Sequence, residues 1–197
     1  WVVGRGENLY PGGADGKNDD ERFYKIFEQP YKSLGAGVED FKLYAALGNH
    51  DWNTSRLGRN AQVDYAQRHD TKITMQQPGY FTFKRQQGEL TAEFFVLDTN
   101  LLLKGQNVLD DQLNPDGSPK QHTELNQPES WEKPTKADSR QLQWLDDQLA
   151  ASDADWKIVM GHHTIWSYGG SKFEEAKVLS LSPIHQRRLR RGDRGEA

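Results

Sequence analysis

The sequence predicts an α/β fold, on three observations. Short apolar runs of strand character alternate with amphipathic helical segments along the chain. Three of those runs stop at a glycine followed by polar residues, at Gly4, Gly48 and Gly161. Two further runs follow each other in hairpin fashion around Gly88. In open α/β sheets, ligands collect just beyond the carboxyl ends of strands, so the three glycines also predict where a site lies.

Trp1-Val2-Val3 ends at Gly4 and has the pattern of the last residues of a buried strand. Residues 6–13, Gly-Glu-Asn-Leu-Tyr-Pro-Gly-Gly, form a loop, because Pro and paired Gly break helix and sheet alike. A helix opens at Asp19-Asp20-Glu21, whose charges suit the positive end of the helix dipole. Phe23, Ile26 and Phe27 give it an apolar stripe, and Pro30 limits its length. Residues 41–47 are a strand that ends at Gly48, and 79–84 and 93–98 are the pair around Gly88. Residues 104–135 mix Pro, Gly, Asn, Gln and Asp without periodicity, which predicts a long loop, and long ordered loops usually serve function. The clearest helix is 138–149, with Leu142, Leu145 and Leu149 on one face. Residues 155–160 are a last strand, ended by Gly161, and no internal repeat is present.

Composition narrows the function classes. The 197 residues fit one domain or a large part of one, and 35% hydrophobic with 11% aromatic content suffices for a core. A mean hydropathy of -0.92 predicts long solvated loops around that core. A net charge of -4 and a pI near 5.9 argue against a nucleic-acid footprint, which needs a basic face. The one basic cluster, Arg187-Arg188-Leu189-Arg190-Arg191, lies near the C-terminal end. Without cysteine there is no disulfide framework, zinc ribbon or thiol nucleophile. No run of ~18 apolar residues exists, so no membrane-crossing helix is expected. No signal peptide is visible, and a start at Trp1 reads as the middle of a larger protein.

Polar sets follow the three glycine-ended strands: Glu7, Asn8 and Tyr10; Asn49, His50 and Asp51; His162 and His163. These are the oxygen and nitrogen donors that hard or borderline cations use. A bridging Glu, an Asn carbonyl and an imidazole make a mixed site. Two metals ~3.5–4 Å apart can clamp the attacking and leaving oxygens of a phosphoryl transfer. Each set alone also fits a plainer role: Asn49 and His50 as strand-end caps, Tyr10 as a core tyrosine, the His pair as surface or core residues. Asp98, after Phe-Phe-Val-Leu, reads as a structural hydrogen-bonder, and His69 and His122 read as solvent-facing.

Gly48-Asn49-His50-Asp51 resembles the Gly-Asn-His-Asp/Glu motif of the calcineurin-like metallophosphoesterases. Residues 6–12 resemble the Gly-Asp-Asn-Phe-Tyr loop of their tartrate-resistant purple acid phosphatase branch. Residues 161–167, Gly-His-His-Thr-Ile-Trp-Ser, resemble that branch's Gly-His-x-Pro-Val-Trp-Ser segment. Residues 95–99, Phe-Val-Leu-Asp-Thr, and the helix at 141–145 are similar too, and all five motifs keep the branch's order over residues 1 to about 180. The resemblance implies an αββα arrangement, a β-sandwich flanked by helices, incomplete at both ends. It also implies a dinuclear metal centre, Fe(III) plus a divalent ion (Fe, Zn or Mn), acting on a small phosphorylated substrate. The implied activity is acid phosphomonoester hydrolysis, in which a metal-bound hydroxide attacks phosphorus. By position, Glu7 stands at the bridging carboxylate and Tyr10 at the ferric tyrosinate. Asn49 and His162 stand at ligands of the divalent ion. His50 stands at the catalytic histidine that assists the leaving group, and His163 at a substrate-facing position. A phosphodiesterase, a nucleotide-acting enzyme and a metal-free remnant are the other readings. The family is often secreted, periplasmic or lysosomal/vacuolar, which leaves the compartment of this chain open.

Two departures from the family stand out. Glu7 replaces an Asp, and its extra methylene pushes the carboxylate outward by roughly one bond length where metal sites are exacting to ~0.2 Å. The family's first motif, which supplies an Asp ligand, would lie upstream of Trp1. Its last, Gly-His-x-His, would follow residues 169–181, where the chain instead runs Ser182-Pro183-Ile184-His185 into the Arg cluster. The expected domain is therefore a partial one, residues 1–181. Residues 182–197 are an atypical basic tail with the abrupt composition change of a frameshift or misjoined gene, and His185 does not match a missing ligand. The divalent half of the centre is the better represented; the ferric half keeps Glu7 and Tyr10.

Overall fold

The computed structural model describes residues 1–10, 12–14, 16, 20–52, 56–68, 71–76, 79–104 and 139–164. The loop expected beyond Lys104, the boundary at 181 with the tail behind it, and His69, His122 and His185 lie outside those residues.

The described strands form two three-stranded sheets. In the first, β1 (Val2–Gly4), β2 (Leu43–Ala45) and β3 (Ile73–Thr74) run parallel in that order. In the second, β4 (Phe81–Gln87) pairs antiparallel with β5 (Leu90–Val96), and β5 pairs parallel with β6 (Trp156–Met160). Gln87 opposes Leu90, so the hairpin turns on Gly88-Glu89 alone, with Gly88 at φ 60°. Glycine at the first position of a two-residue turn gives the backbone twist that matches paired strands. The expected strands at 79–84 and 93–98 overlap the parts of β4 and β5 away from the turn, each running two residues past the observed strand and missing the three residues beside the turn.

Period-two alternation sorts the side chains into layers. Tyr44 and Ala46 point to one side of the first sheet, and Phe81, Phe83, Phe94 and Val96 meet them from the second. Tyr44 stacks on Phe83 at 3.6 Å and Phe83 on Phe94 at 4.8 Å. The alternate residues Leu43, Ala45 and Leu47 face the opposite way. They meet α1 (Asp20–Phe23), the wider π-type turns Tyr24–Glu28 that prolong it, and α2 (Arg56–Ala66), through Phe23, Phe27 and Val63. On the far side, Phe95 and Leu97 meet α3 (Thr99–Lys104) and α4 (Ser139–Ala151), through Leu102, Leu103 and Leu145. The result is helix, sheet, sheet, helix: the expected αββα order. Each fully buried Leu or Phe contributes roughly 1.5–3 kcal/mol, so the three clusters dominate the stability.

Three elements were not visible in the sequence. The apolar side of α2 among its described side chains is Ala61, Val63, Tyr65 and Ala66, too weak a stripe beside Gly58 and Asn60 to stand out. β3 has two residues, below the length at which alternation can be read. In α3, Leu101, Leu102 and Leu103 are all buried, because a short helix wedged between layers has no solvent face there. The first helix ends at Glu28, two residues before Pro30, as a proline ring and missing N–H require.

Candidate functional site

Three loops meet at one end of the sandwich: residues 5–10 after β1, 46–52 after β2 and 161–164 after β6. The first two leave one sheet and the third leaves the other, so the site bridges both sheets. Two glycines set the approach of the loops. A methyl at Gly6, whose φ is +100°, would stand 2.7 Å from the Gly48 nitrogen and 2.8 Å from His162 Nδ1. A methyl at Gly48 would stand 2.5 Å from the Glu7 nitrogen and 2.9 Å from Glu7 Oε1. Glu7 itself lies in the left-handed region at φ 63°, which costs an L-residue other than Gly, Asn or Asp roughly 1–2 kcal/mol. Strain of this kind persists where the surroundings impose it, and here they aim a carboxylate into the junction.

Asp51 fixes the residues that follow Glu7. Its carboxylate is fully buried and accepts from Gly48 N at 2.8 Å, Leu9 N at 2.9 Å, Asn8 N at 3.1 Å and Asn8 Nδ2 at 3.2 Å. Burial pushes the Asp51 carboxyl above its ordinary value, the backbone N–H groups of Gly48, Leu9 and Asn8 pull it down, and nearby Glu7 adds to the rise. Asn8 also donates to the Ala46 carbonyl at 2.8 Å, a second tie between the first two loops.

Glu7, Asn49 and His162 converge within this frame. His162 Nε2 lies 3.0 Å from Asn49 Oδ1 and 3.1 Å from Glu7 Oε1. His162 Nδ1 lies 2.8 Å from the Arg5 carbonyl, which can only accept, so Nδ1 carries a proton. The other nitrogen then faces two acceptors. Such a contact is relieved by a proton between Nε2 and Glu7, by an Asn49 amide turned to donate, or by a cation among the three groups. The donor set suits a cation: two ligands bound side by side at about 2.1 Å in octahedral geometry lie about 3.0 Å apart. A histidine ligand also characteristically donates its other N–H to a carbonyl or carboxylate. Among the described residues, no three His, Asp or Glu side chains group closely enough to hold an ion by themselves, so such a site depends on the Asn49 amide.

The remaining sequence candidates sit around this trio. His50 Nε2 lies 3.6 Å from Glu7 Oε2, and its backbone N–H reaches Glu7 Oε1 at 3.4 Å. Tyr10 is 64% exposed and rests its ring on His50 at 4.5 Å, so it is no core tyrosine. His163 is buried, edge-on to His162 at 4.9 Å, and bonded to Thr99 Oγ1 at 2.6 Å. Asp98 is a buried acceptor for Trp52 Nε1 at 3.0 Å and for Asn100 N and Nδ2 at 3.1 Å. Burial pushes its carboxyl up to about 6, against the pull of Arg59, Asn100 and Trp52. Asn100 Nδ2 also donates to the Gly48 carbonyl at 3.2 Å, which carries this network to the second loop. Sequence reasoning grouped Asp51 with the candidate cation donors, whereas the structure spends its carboxylate on the loops' N–H groups, and it assigned no role to Thr99, whose partner His163 is distant in the chain.

Comparison with known proteins places this arrangement. Tartrate-resistant acid phosphatase type 5 of Rattus norvegicus is 28% identical over 186 residues, which cover 93% of this chain and 50% of the relative. The Homo sapiens protein of the same name is 30% identical over the same shares of the two chains. Purple acid phosphatase 7 of Arabidopsis thaliana is 27% identical over 193 residues, 93% of this chain and 49% of the relative. The chain spans about half the length of these curated relatives. A solved structure, GAP50, the anchor in the inner membrane complex of Plasmodium, matches with a TM-score of 0.60 at 19% identity, over 94% of this chain and 51% of that one, and shares the fold. Residues 3–189 match the family model of the calcineurin-like phosphoesterases, and the chain belongs to that family.

Proposed function

We propose that the protein is a metal-dependent phosphate-ester hydrolase, and that it acts on small phosphomonoesters. One observation supports this above the others: Glu7 Oε1 and Asn49 Oδ1 both approach His162 Nε2, at 3.1 Å and 3.0 Å, while His162 Nδ1 is occupied by the Arg5 carbonyl. These three side chains would hold a divalent cation. When bound, that ion would neutralise charge on the phosphoryl oxygens and provide a nucleophile at neutral pH. Glu7 is held to the task by its strained backbone and by the Asp51 clamp. In this reading His50, partly exposed beside Glu7, would pass a proton from its Nε2 to a departing alcohol. A fuller centre, in which Tyr10 and Glu7 would also hold an Fe(III), extends the same proposal and is carried by the motif resemblance and the acid phosphatase relatives.

A second reading has its own observation. A doubly protonated His162 would satisfy the same contacts by pairing with Glu7, and the fold would then be a metal-free scaffold. Metal analysis of purified folded protein separates the two: bound Fe, Zn or Mn that is lost in His162→Ala supports the hydrolase, and its absence supports the scaffold. Turnover of p-nitrophenyl phosphate well above that of bis-p-nitrophenyl phosphate identifies a monoesterase; the reverse order sinks that part of the proposal. With iron bound, a visible tyrosinate band that disappears in Tyr10→Phe supports the ferric site.

A further inference from the structure

We propose that Thr99 is a positioning residue that locks His163 with its proton on Nε2, so that the two adjacent histidines play opposite parts. His162 turns a proton-accepting or ion-binding nitrogen to the site, and His163 keeps a ring N–H that can only donate. What this donor serves rests on the hydrolase reading; how it is made does not.

The inference follows from counting protons. Thr99 opens α3 just beyond β5, and His163 follows β6, so parallel pairing of those strands brings them together. Thr99 Oγ1 lies 2.6 Å from His163 Nδ1 and 3.2 Å from the His163 backbone nitrogen, and both residues are buried. The backbone N–H can only donate, so it takes one lone pair of the hydroxyl. The hydroxyl has one proton, and it meets no other acceptor among the described residues. If Nδ1 also donated, that proton would be left buried without a partner. If the hydroxyl donates to Nδ1 instead, the hydroxyl proton, the backbone N–H and Nδ1 are all satisfied. The penalty for an unpaired buried donor biases the pair toward the second arrangement by roughly tenfold to hundredfold. With Nδ1 accepting, the ring proton resides on Nε2.

His162 is the converse case. The Arg5 carbonyl draws its proton to Nδ1 and leaves Nε2 for Glu7, Asn49 and whatever lies between them. The two rings stand 4.9 Å apart at 79°. A neutral N–H beside an ion-holding trio suits an anionic phosphoryl oxygen, which accepts a hydrogen bond without a second positive charge crowding the cation.

Two-bond proton–nitrogen correlation of the imidazoles in 15N-labelled full chain reads the tautomer directly, with His162→Gln and His163→Gln giving the assignments. The expected result is a single Nε2–H pattern for His163 in the unsubstituted protein. Thr99→Val should convert it to a mixture, and Thr99→Ser should restore it. With p-nitrophenyl phosphate, Thr99→Val should raise KM several-fold with a smaller change in kcat, again restored by Ser. Protonation of His163 at Nδ1, or an unchanged pattern in folded Thr99→Val, overturns the proposal. The unsubstituted spectrum decides even if Thr99→Val fails to fold. The expected tautomers in a protein without phosphatase activity would overturn the hydrolase reading and leave the role of Thr99 intact.

Discussion

At the scale of single residues, Glu7 and Asp98 carry the clearest energetic signatures. Glu7 sits at φ 63° for the sake of its carboxylate. Glu7→Gly removes that strain and should raise unfolding stability by about 1 kcal/mol in urea while abolishing metal uptake. A destabilised Gly variant would show that the Glu7 side chain supports the fold more than the site. Asp98 makes a pH prediction. Burial raises its folded pKa from 3.8 to about 6, so between those values the folded state holds a proton that the unfolded chain has released. Its contribution to stability is complete below about pH 4 and is lost as pH rises through about 6. Asp98→Asn cannot ionise. Its stability relative to the unsubstituted protein should therefore climb across that window, by on the order of 3 kcal/mol. Parallel unfolding curves for the two proteins from pH 4 to 7 would refute this.

At the scale of elements, the site is a junction of loops, and Asp51 is what joins two of them. Its carboxylate gathers four N–H groups, three from the loop after β1 and one from its own. Asp51→Asn keeps the shape but turns an NH₂ toward those donors, so at least one bond is replaced by a donor facing a donor. The expected cost is about 2 kcal/mol in chemical denaturation, with weaker metal binding because Glu7 and Asn49 lose their common anchor. Full metal affinity in a folded Asn variant would place the clamp outside the site's function. The glycines at positions 6 and 48 act at the same scale: their missing side chains let the two loops touch back to back.

At the scale of the whole molecule, the site couples the two sheets. His162 belongs to the second sheet, whereas Glu7 and Asn49 extend from the first, and the interlayer aromatic stack of Tyr44, Phe83 and Phe94 fixes the spacing between them. An ion bound by all three residues stabilises only the assembled sandwich. At a Zn²⁺ concentration a hundredfold above its Kd, unfolding should require about 2.7 kcal/mol more than without metal. The increment should vanish in His162→Ala. A metal that leaves the unfolding midpoint unmoved would favour the scaffold over the hydrolase.

By itself the sequence determined the α/β class, the strand ends that bear polar residues, and the family, because period-two alternation, glycine punctuation and ordered motifs are all local signals. It pointed to Glu7, Asn49, His50 and His162 through residue type and place in a motif, and these four do lie together. The weakly patterned α2, the two-residue β3 and the buried α3 escaped it, since each is defined by neighbours rather than by its own periodicity. Only the tertiary structure decided that Asp51 clamps the loops, that Thr99 sets the tautomer of His163, and that Tyr10 lies exposed against His50. Those roles rest on hydrogen bonds and ring contacts across 40 to 64 residues of chain, where partner identity depends on how layers pack and leaves no mark on the local sequence.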